Sequence, residues 1–133
     1  MLFRSLAGLN ASKLGLMLSD SDLTEIAKRS KGTPRILNAR LQWYKSYSMF
    51  NKGNRVDIDT VFSEQGIDEN GFDIYDRRYI DVLRKNKKNA LGVNSLSALT
   101  GIAVETIINN IEPYMIRMGY VLRTSKGRIL GDV

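Results

Sequence analysis

The stretch Gly32-Thr33-Pro34-Arg35-Ile36 constrains the fold more than any other in this chain. Glycine suits the left-handed residue that follows a helix, and proline behind a capping threonine suits a first helical position. The five residues therefore read as the end of one helix and the start of the next, with Arg35 in the first turn of the second. Free amide N–H groups and the helix dipole already favour an anion at that place, and a guanidinium there can fork onto a phosphate. The same residues also suit a plain helix–helix corner with a solvated arginine.

The chain has neither cysteine nor histidine. Disulfides, iron–sulfur clusters, thiol catalysis, zinc centres, Ser–His–Asp triads and Cys–His pairs are thereby excluded. Carboxylate-only metal sites survive that test, but no D-x-D-x-D-G loop supports one, so no metal ligand and no catalytic residue is assigned. No apolar run approaches the roughly 20 residues that span a bilayer, and the opening Met1 to Gly8 is too soon interrupted for a signal peptide. A cytoplasmic soluble protein without a membrane partner is expected. With 133 residues and 43% hydrophobic content the chain can build one ordinary domain or two small ones. The net charge of +6 favours an anionic partner, most simply nucleic acid.

The first half reads as an all-helical bundle, residues 1–66. Leu6, Leu9, Leu14, Leu16 and Leu18 make the N-terminal segment apolar, read as a first helix followed by a turn around Lys13 to Gly15. Asp22-x-x-Glu25 resembles a capping box for a short helix with Leu23, Ile26 and Ala27 on one face. The helix opened by Pro34 runs to about Phe50, with Leu37, Leu41, Tyr44 and Tyr47 at helical spacing and Trp43 and Phe50 widening the stripe. Such aromatics fill a core more often than they stack on bases. Asp59 can cap a last small helix through Val61 and Phe62, ended by Gly66. Residues 67–72, Ile-Asp-Glu-Asn-Gly-Phe, are acidic and turn-rich and read as an inter-domain linker.

The pattern restarts over residues 73–133. Asp73 caps a helix carrying Ile74, Ile80 and Leu83 that ends in the basic run Arg84-Lys85-Asn86-Lys87-Lys88. Val93 can form a one-residue strand pairing, and Asn94 or Ser95 can cap the next helix. A third helix holds Ile107, Ile108 and Ile111, with Pro113 expected to kink it. Residues 118–123 then read as a strand, 124–127 as a turn and 128–130 as the return strand. Three helices followed by a β-hairpin make a winged helix. Arg123, Lys126 and Arg128 concentrate charge at its tip, suited either to phosphate contact or to a solvated face.

Three stretches together resemble RuvB, the family of hexameric AAA+ motors of Holliday-junction branch migration. Residues 26–36, with the Gly-Thr-Pro-Arg corner, look like its sensor-2 segment. Asp73-Ile74-Tyr75-Asp76-Arg77-Arg78 looks like the start of its C-terminal domain. Glu112-Pro113-Tyr114, Gly119-Tyr120 and Arg123-Thr124-Ser125-Lys126-Gly127-Arg128 look like its last helix and wing. The resemblance runs from about Leu6 to Leu130 and covers only the back of the family's chain. It implies a mainly α fold: a small helical AAA+ lid followed by a winged-helix DNA-binding domain of three helices and a β-hairpin. It further implies that Arg35, supported by Thr33 and Pro34, senses the γ-phosphate of ATP bound elsewhere. Arg128, Arg123 and Lys126 are implied to touch DNA backbone. Lys126 stands where arginine is common, keeping the charge but losing the fork. Ser125 stands where proline is frequent, and Ile108, Asn109 and Asn110 replace a stretch that is often acidic.

The chain contains no GxxxxGK[ST] loop and no acidic strand end for Mg²⁺. No cofactor and no ATP hydrolysis are expected of it alone, and ATP with Mg²⁺ only when it is joined to a large ATPase domain. It then reads as an excised or gene-split portion of a RuvB-like motor, or as a short descendant without the motor. The implied partners are DNA (a Holliday junction or duplex arms), a RuvB-like large ATPase domain and hexamer, and a RuvA-like junction binder reached only through the missing domain. One alternative is a stand-alone winged-helix regulator reading sequence through the helix at Glu105 to Tyr114, which offers Asn109 and Asn110 but no arginine before Arg117. Another is an interaction module that docks on a full-length motor and poisons its hexamer.

Overall fold

The computed structural model describes residues 2–131. In chain order the elements are α1 (Leu2–Lys13), α2 (Asp20–Lys28), α3 (Pro34–Phe50), α4 (Ile58–Glu64), α5 (Ile74–Lys85), α6 (Val93–Thr100), α7 (Val104–Thr106), a π-helical turn (Ile107–Ile111), α8 (Glu112–Arg117), β1 (Val121–Thr124) and β2 (Gly127–Leu130). The chain divides into two compact units between Asp73 and Ile74. The first is a helical bundle and the second a winged helix, so the fold is mainly helical with one antiparallel hairpin, as expected.

In the first unit α1 packs through Ala7 and Ala11, both buried, while Leu9 is exposed. Small side chains let the helix approach closely, which an apolar count along the sequence does not reveal. Ile26, Leu37, Leu41, Tyr44, Val61 and Phe62 fill the core, with Trp43 and Tyr47 packed against it. Of the aromatics of α3, Tyr44 is in the core, Trp43 and Tyr47 are half-buried against it, and Phe50 is exposed.

Two caps lie earlier than the acidic residues suggested. Ser19 caps α2 by accepting from the Asp22 amide at 3.1 Å, and Asp57 caps α4 by accepting from the Thr60 amide at 3.1 Å. Asp22 and Asp59 fall instead inside the first turns, where the dipole favours an acid. There they receive arginines: Arg55 forks onto Asp22 at 2.9 and 3.0 Å, and Arg29 donates to Asp59 at 2.6 Å.

Residues 67–72 form a packed turn. Ile67 and Phe72 are buried. The Asp68 carboxylate accepts from the amides of Asn70 and Phe72 at 2.9 and 3.0 Å, and the Asp68 amide donates to the Phe72 carbonyl at 3.0 Å. Acid and glycine here build a turn closed by the Asp68 side chain. Gly71 sits at φ 84°, against the backbone of Arg29.

The second unit buries Tyr79, Leu83, Leu96, Ile107, Met115 and Val121. Gly92 occupies the cap position of α6, so Asn94 and Ser95 lie within the helix. The single strand pairing is made by Leu91 and not Val93, opposite Arg128 on β2. Pro113 stands in the first turn of α8, directly after the π-helical turn Ile107–Ile111, so the helical run changes its spacing where proline enters. A missing N–H costs little there.

Candidate functional site

The first candidate group lies at the corner between α2 and α3. Ser30 is buried and its hydroxyl donates back to the Ile26 carbonyl at 2.5 Å. Lys31 and Gly32 then turn the chain through two left-handed residues, at φ 56° and 61°. Glycine tolerates that conformation freely, whereas a lysine adopts it only where the surrounding turn holds it. Thr33 takes the extended cap position of α3, but its hydroxyl donates to the Lys31 carbonyl at 3.2 Å and makes no bond to a helix amide. Pro34 is the first residue of α3 and Arg35 the second.

The result is a 17-residue helix whose first turn has neither a side-chain cap nor an acid. Its amide donors therefore remain open to an anion. Arg35 is exposed, and among the described residues its guanidinium has no partner. Arginine and helix end thus present one positive site outward. They can complete the shell of a phosphate held by another body, but they offer no loop to cradle one.

The second candidate group is the hairpin. The turn is Ser125-Lys126, with the Thr124 hydroxyl donating to the Gly127 carbonyl at 2.9 Å and the Lys126 amide donating to the Thr124 hydroxyl oxygen at 3.2 Å. Gly127, at φ 128°, lies so close to Leu91 that a Cβ would come within 2.6 Å of its backbone. This close approach lets Leu91 and Arg128 exchange backbone bonds of 2.7 and 3.0 Å, which tie the wing to the segment before α6.

Arg123 and Arg128 stand directly opposite each other on the two strands and so share one face of the hairpin. Their surroundings separate them. Arg128 forks onto Glu112 of α8, with Nε to Oε2 at 2.8 Å and Nη2 to Oε1 at 3.0 Å. The Tyr79 hydroxyl donates to the same Oε2 at 2.6 Å. Side-chain exposure is 11% for Arg128 and 3% for Glu112, so this is an internal ion pair. The bond to Glu112 holds Arg128 above its ordinary pKa range, and burial followed by the Glu112 bond raises Tyr79 well above its own.

Arg128 was expected among the phosphate-contacting cations, yet its fork is occupied by Glu112. Arg123 and Lys126 are exposed and, among the described residues, have no side-chain partner. Neutralising one of two facing arginines relieves their repulsion and leaves Arg123 as the outward charge. Sequence reasoning assigned no role to Glu112. The available signal was an acid three residues before Met115 and one after Ile111, on the apolar side of the last helix.

Profiles of two domains match the chain end to end: the RuvB AAA lid domain over residues 4–69 and the RuvB C-terminal winged helix domain over residues 69–132. The chain belongs to the RuvB family. It is 38% identical over 133 residues to the Holliday junction branch migration complex subunit RuvB of Gluconobacter oxydans, covering 97% of this chain and 38% of that relative. The RuvB subunit of Helicobacter hepaticus is 37% identical over 130 residues, covering 90% of this chain and 38% of the relative. The solved Thermotoga maritima RuvB Holliday junction branch migration motor superposes with a TM-score of 0.85 at 28% identity, over 98% of this chain and 45% of that one. The chain therefore spans less than half of the RuvB proteins it matches, and corresponds to their lid and C-terminal winged-helix domains. Among the described residues no helix is long and apolar enough to cross a membrane.

Proposed function

We propose that this chain supplies the lid and the DNA-gripping winged helix of a RuvB-like, ATP-dependent branch-migration motor acting on Holliday junctions in cytoplasmic recombination and repair. The observation that carries this reading is the pairing of two domains in family order, each presenting outward an arginine without a side-chain partner among the described residues: Arg35 on the lid and Arg123 on the wing. Residues 1–66 act as the lid and 73–133 as the DNA-binding domain, joined through the turn at 67–72. A large ATPase domain, in the same polypeptide or another, binds ATP with Mg²⁺ and assembles the hexamer. Contact with a RuvA-like junction binder runs through that domain as well.

In this scheme Arg35, set by Pro34 and by the Thr33 corner, reaches the γ-phosphate from the lid side. Losing that phosphate removes a charge-assisted hydrogen bond, and the angle between lid and large domain responds. Arg123 and Lys126 hold DNA by its phosphates, which grips any sequence alike. Arg128 holds the strand behind them through Glu112. The match to both RuvB domains favours this reading over a free-standing regulator.

Titrating the chain against two unrelated duplexes and a four-way junction at several salt concentrations tests the DNA half of the proposal. Weak, sequence-indifferent binding is expected, at or below the weak end of the range of about 10⁻⁴ to 10⁻⁶ M typical of nonspecific contacts. Arg123→Ala with Lys126→Ala should weaken all three substrates alike and flatten the salt slope by about 1.8 units. Arg35→Ala should leave binding unchanged. Tight preference for one duplex would overturn the proposal.

A further inference from the structure

The basic run at the end of α5, Arg84 to Lys88, lies outside the wing. Arg84 pairs with Asp81 at 2.8 Å, and both Arg84 and Lys85 lie in the last turn of α5, where the helix dipole favours cations. Lys87 and Lys88 lie beyond that influence. They occupy the two central positions of a tight turn closed by the Asn89 amide donating to the Asn86 carbonyl at 3.1 Å. Both are exposed and, among the described residues, without a partner.

The turn is anchored on each side. Asn86 Nδ2 donates to the Val82 carbonyl at 2.8 Å, and two residues past Asn89 the backbone of Leu91 is bonded to Arg128. Neither lysine has a positive φ, so the turn accepts almost any side chain and does not need these two. Adjacent like charges held on a rigid turn repel each other and contribute nothing to folding that neutral residues would not.

Their place follows from the strand register. Leu91 pairs antiparallel with Arg128, so the chain leading into Leu91 comes from the side of the hairpin's open end, at Val121 and Leu130. Lys126 lies at the closed end. We propose that Lys87 and Lys88 form a second nucleic-acid backbone site, at the end of the hairpin opposite the wing tip. Of the neighbours, exposed Asn89 offers a side-chain amide suited to phosphate oxygens, and none of Asn86, Asn89 and Ala90 is a large apolar group. An anionic membrane surface would call for apolar residues to insert, and a protein interface for an aromatic or aliphatic centre. This site stands independently of the role proposed for the wing.

The test is fluorescence anisotropy of the whole chain with a fluorescein-labelled duplex across a salt series, with thermal melting as the check on folding. Lys87→Ala with Lys88→Ala should weaken binding roughly five- to tenfold at low salt and flatten the salt slope by about 1.8 units, with the melting temperature unchanged. Lys87→Arg with Lys88→Arg should retain binding. Loss in the turn variant but not in an Arg123→Ala, Lys126→Ala variant would support the second site while removing the wing's role. Unchanged duplex binding by the turn variant overturns the second site, whatever the wing variant does. So does a loss confined to phosphatidylserine vesicles.

Discussion

Glu112→Ala is expected to cost the winged helix about 3 to 5 kcal/mol, the range for removing one partner of a buried ion pair. The substitution leaves the Arg128 guanidinium, whose side chain is 11% exposed, without its fork, and strips the Tyr79 hydroxyl of its acceptor. A total stability of roughly 5 kcal/mol, ordinary for a small domain, would be largely consumed. Urea denaturation followed by circular dichroism measures it. A double variant, Glu112→Leu with Arg128→Met, should recover much of the loss, because the desolvation penalty of both charges disappears together. A loss below about 1 kcal/mol for Glu112→Ala would mean that the pair contributes no more than an exposed one.

Gly71→Ala is expected to destabilise the helical bundle by about 3 kcal/mol or more, from two additive causes. The residue sits at φ 84°, and a Cβ would lie 2.5 Å from the Arg29 carbonyl oxygen and 2.9 Å from its carbon. The contacted atoms are Arg29 backbone and not the end of a flexible side chain, so they cannot easily retreat. Gly66→Ala separates the causes, because Gly66 has φ 73° but nothing within 4 Å of a Cβ. It should cost about 1 kcal/mol, the lower end for strain alone. Equal losses for the two variants in the same denaturation experiment would show that the packing of 67–72 on Arg29 is unimportant.

The features legible in the sequence were those determined locally. A glycine, a proline and their spacing place Arg35 in the first turn of α3, because both residues act through their own backbone angles. The hairpin follows for the same reason from a Ser-Lys-Gly turn between apolar strands. Features created by tertiary packing were not legible. Glu112 and Arg128 are 16 residues apart and meet only because the fold packs α8 against the hairpin. Nothing in the basic motif distinguishes the buried arginine from its exposed partner across the strands. The caps at Ser19 and Asp57 were masked by stronger acids a few residues later, which the fold pairs with Arg55 and Arg29. At 67–72 acidity and turn residues marked an inter-domain linker, and the burial of Ile67 and Phe72 that packs its ends was not read from them.

The most direct test of the proposed role exchanges the lid and winged-helix segment of the Gluconobacter oxydans RuvB subunit for this chain and follows branch migration of a four-way junction with ATP. The chimera should hydrolyse ATP and move the junction. Arg35→Ala within it should slow both by about ten- to hundredfold, as loss of a charge-assisted bond to phosphate implies. A chimera that migrates junctions equally well with and without Arg35 would contradict the coupling of nucleotide to DNA through this lid.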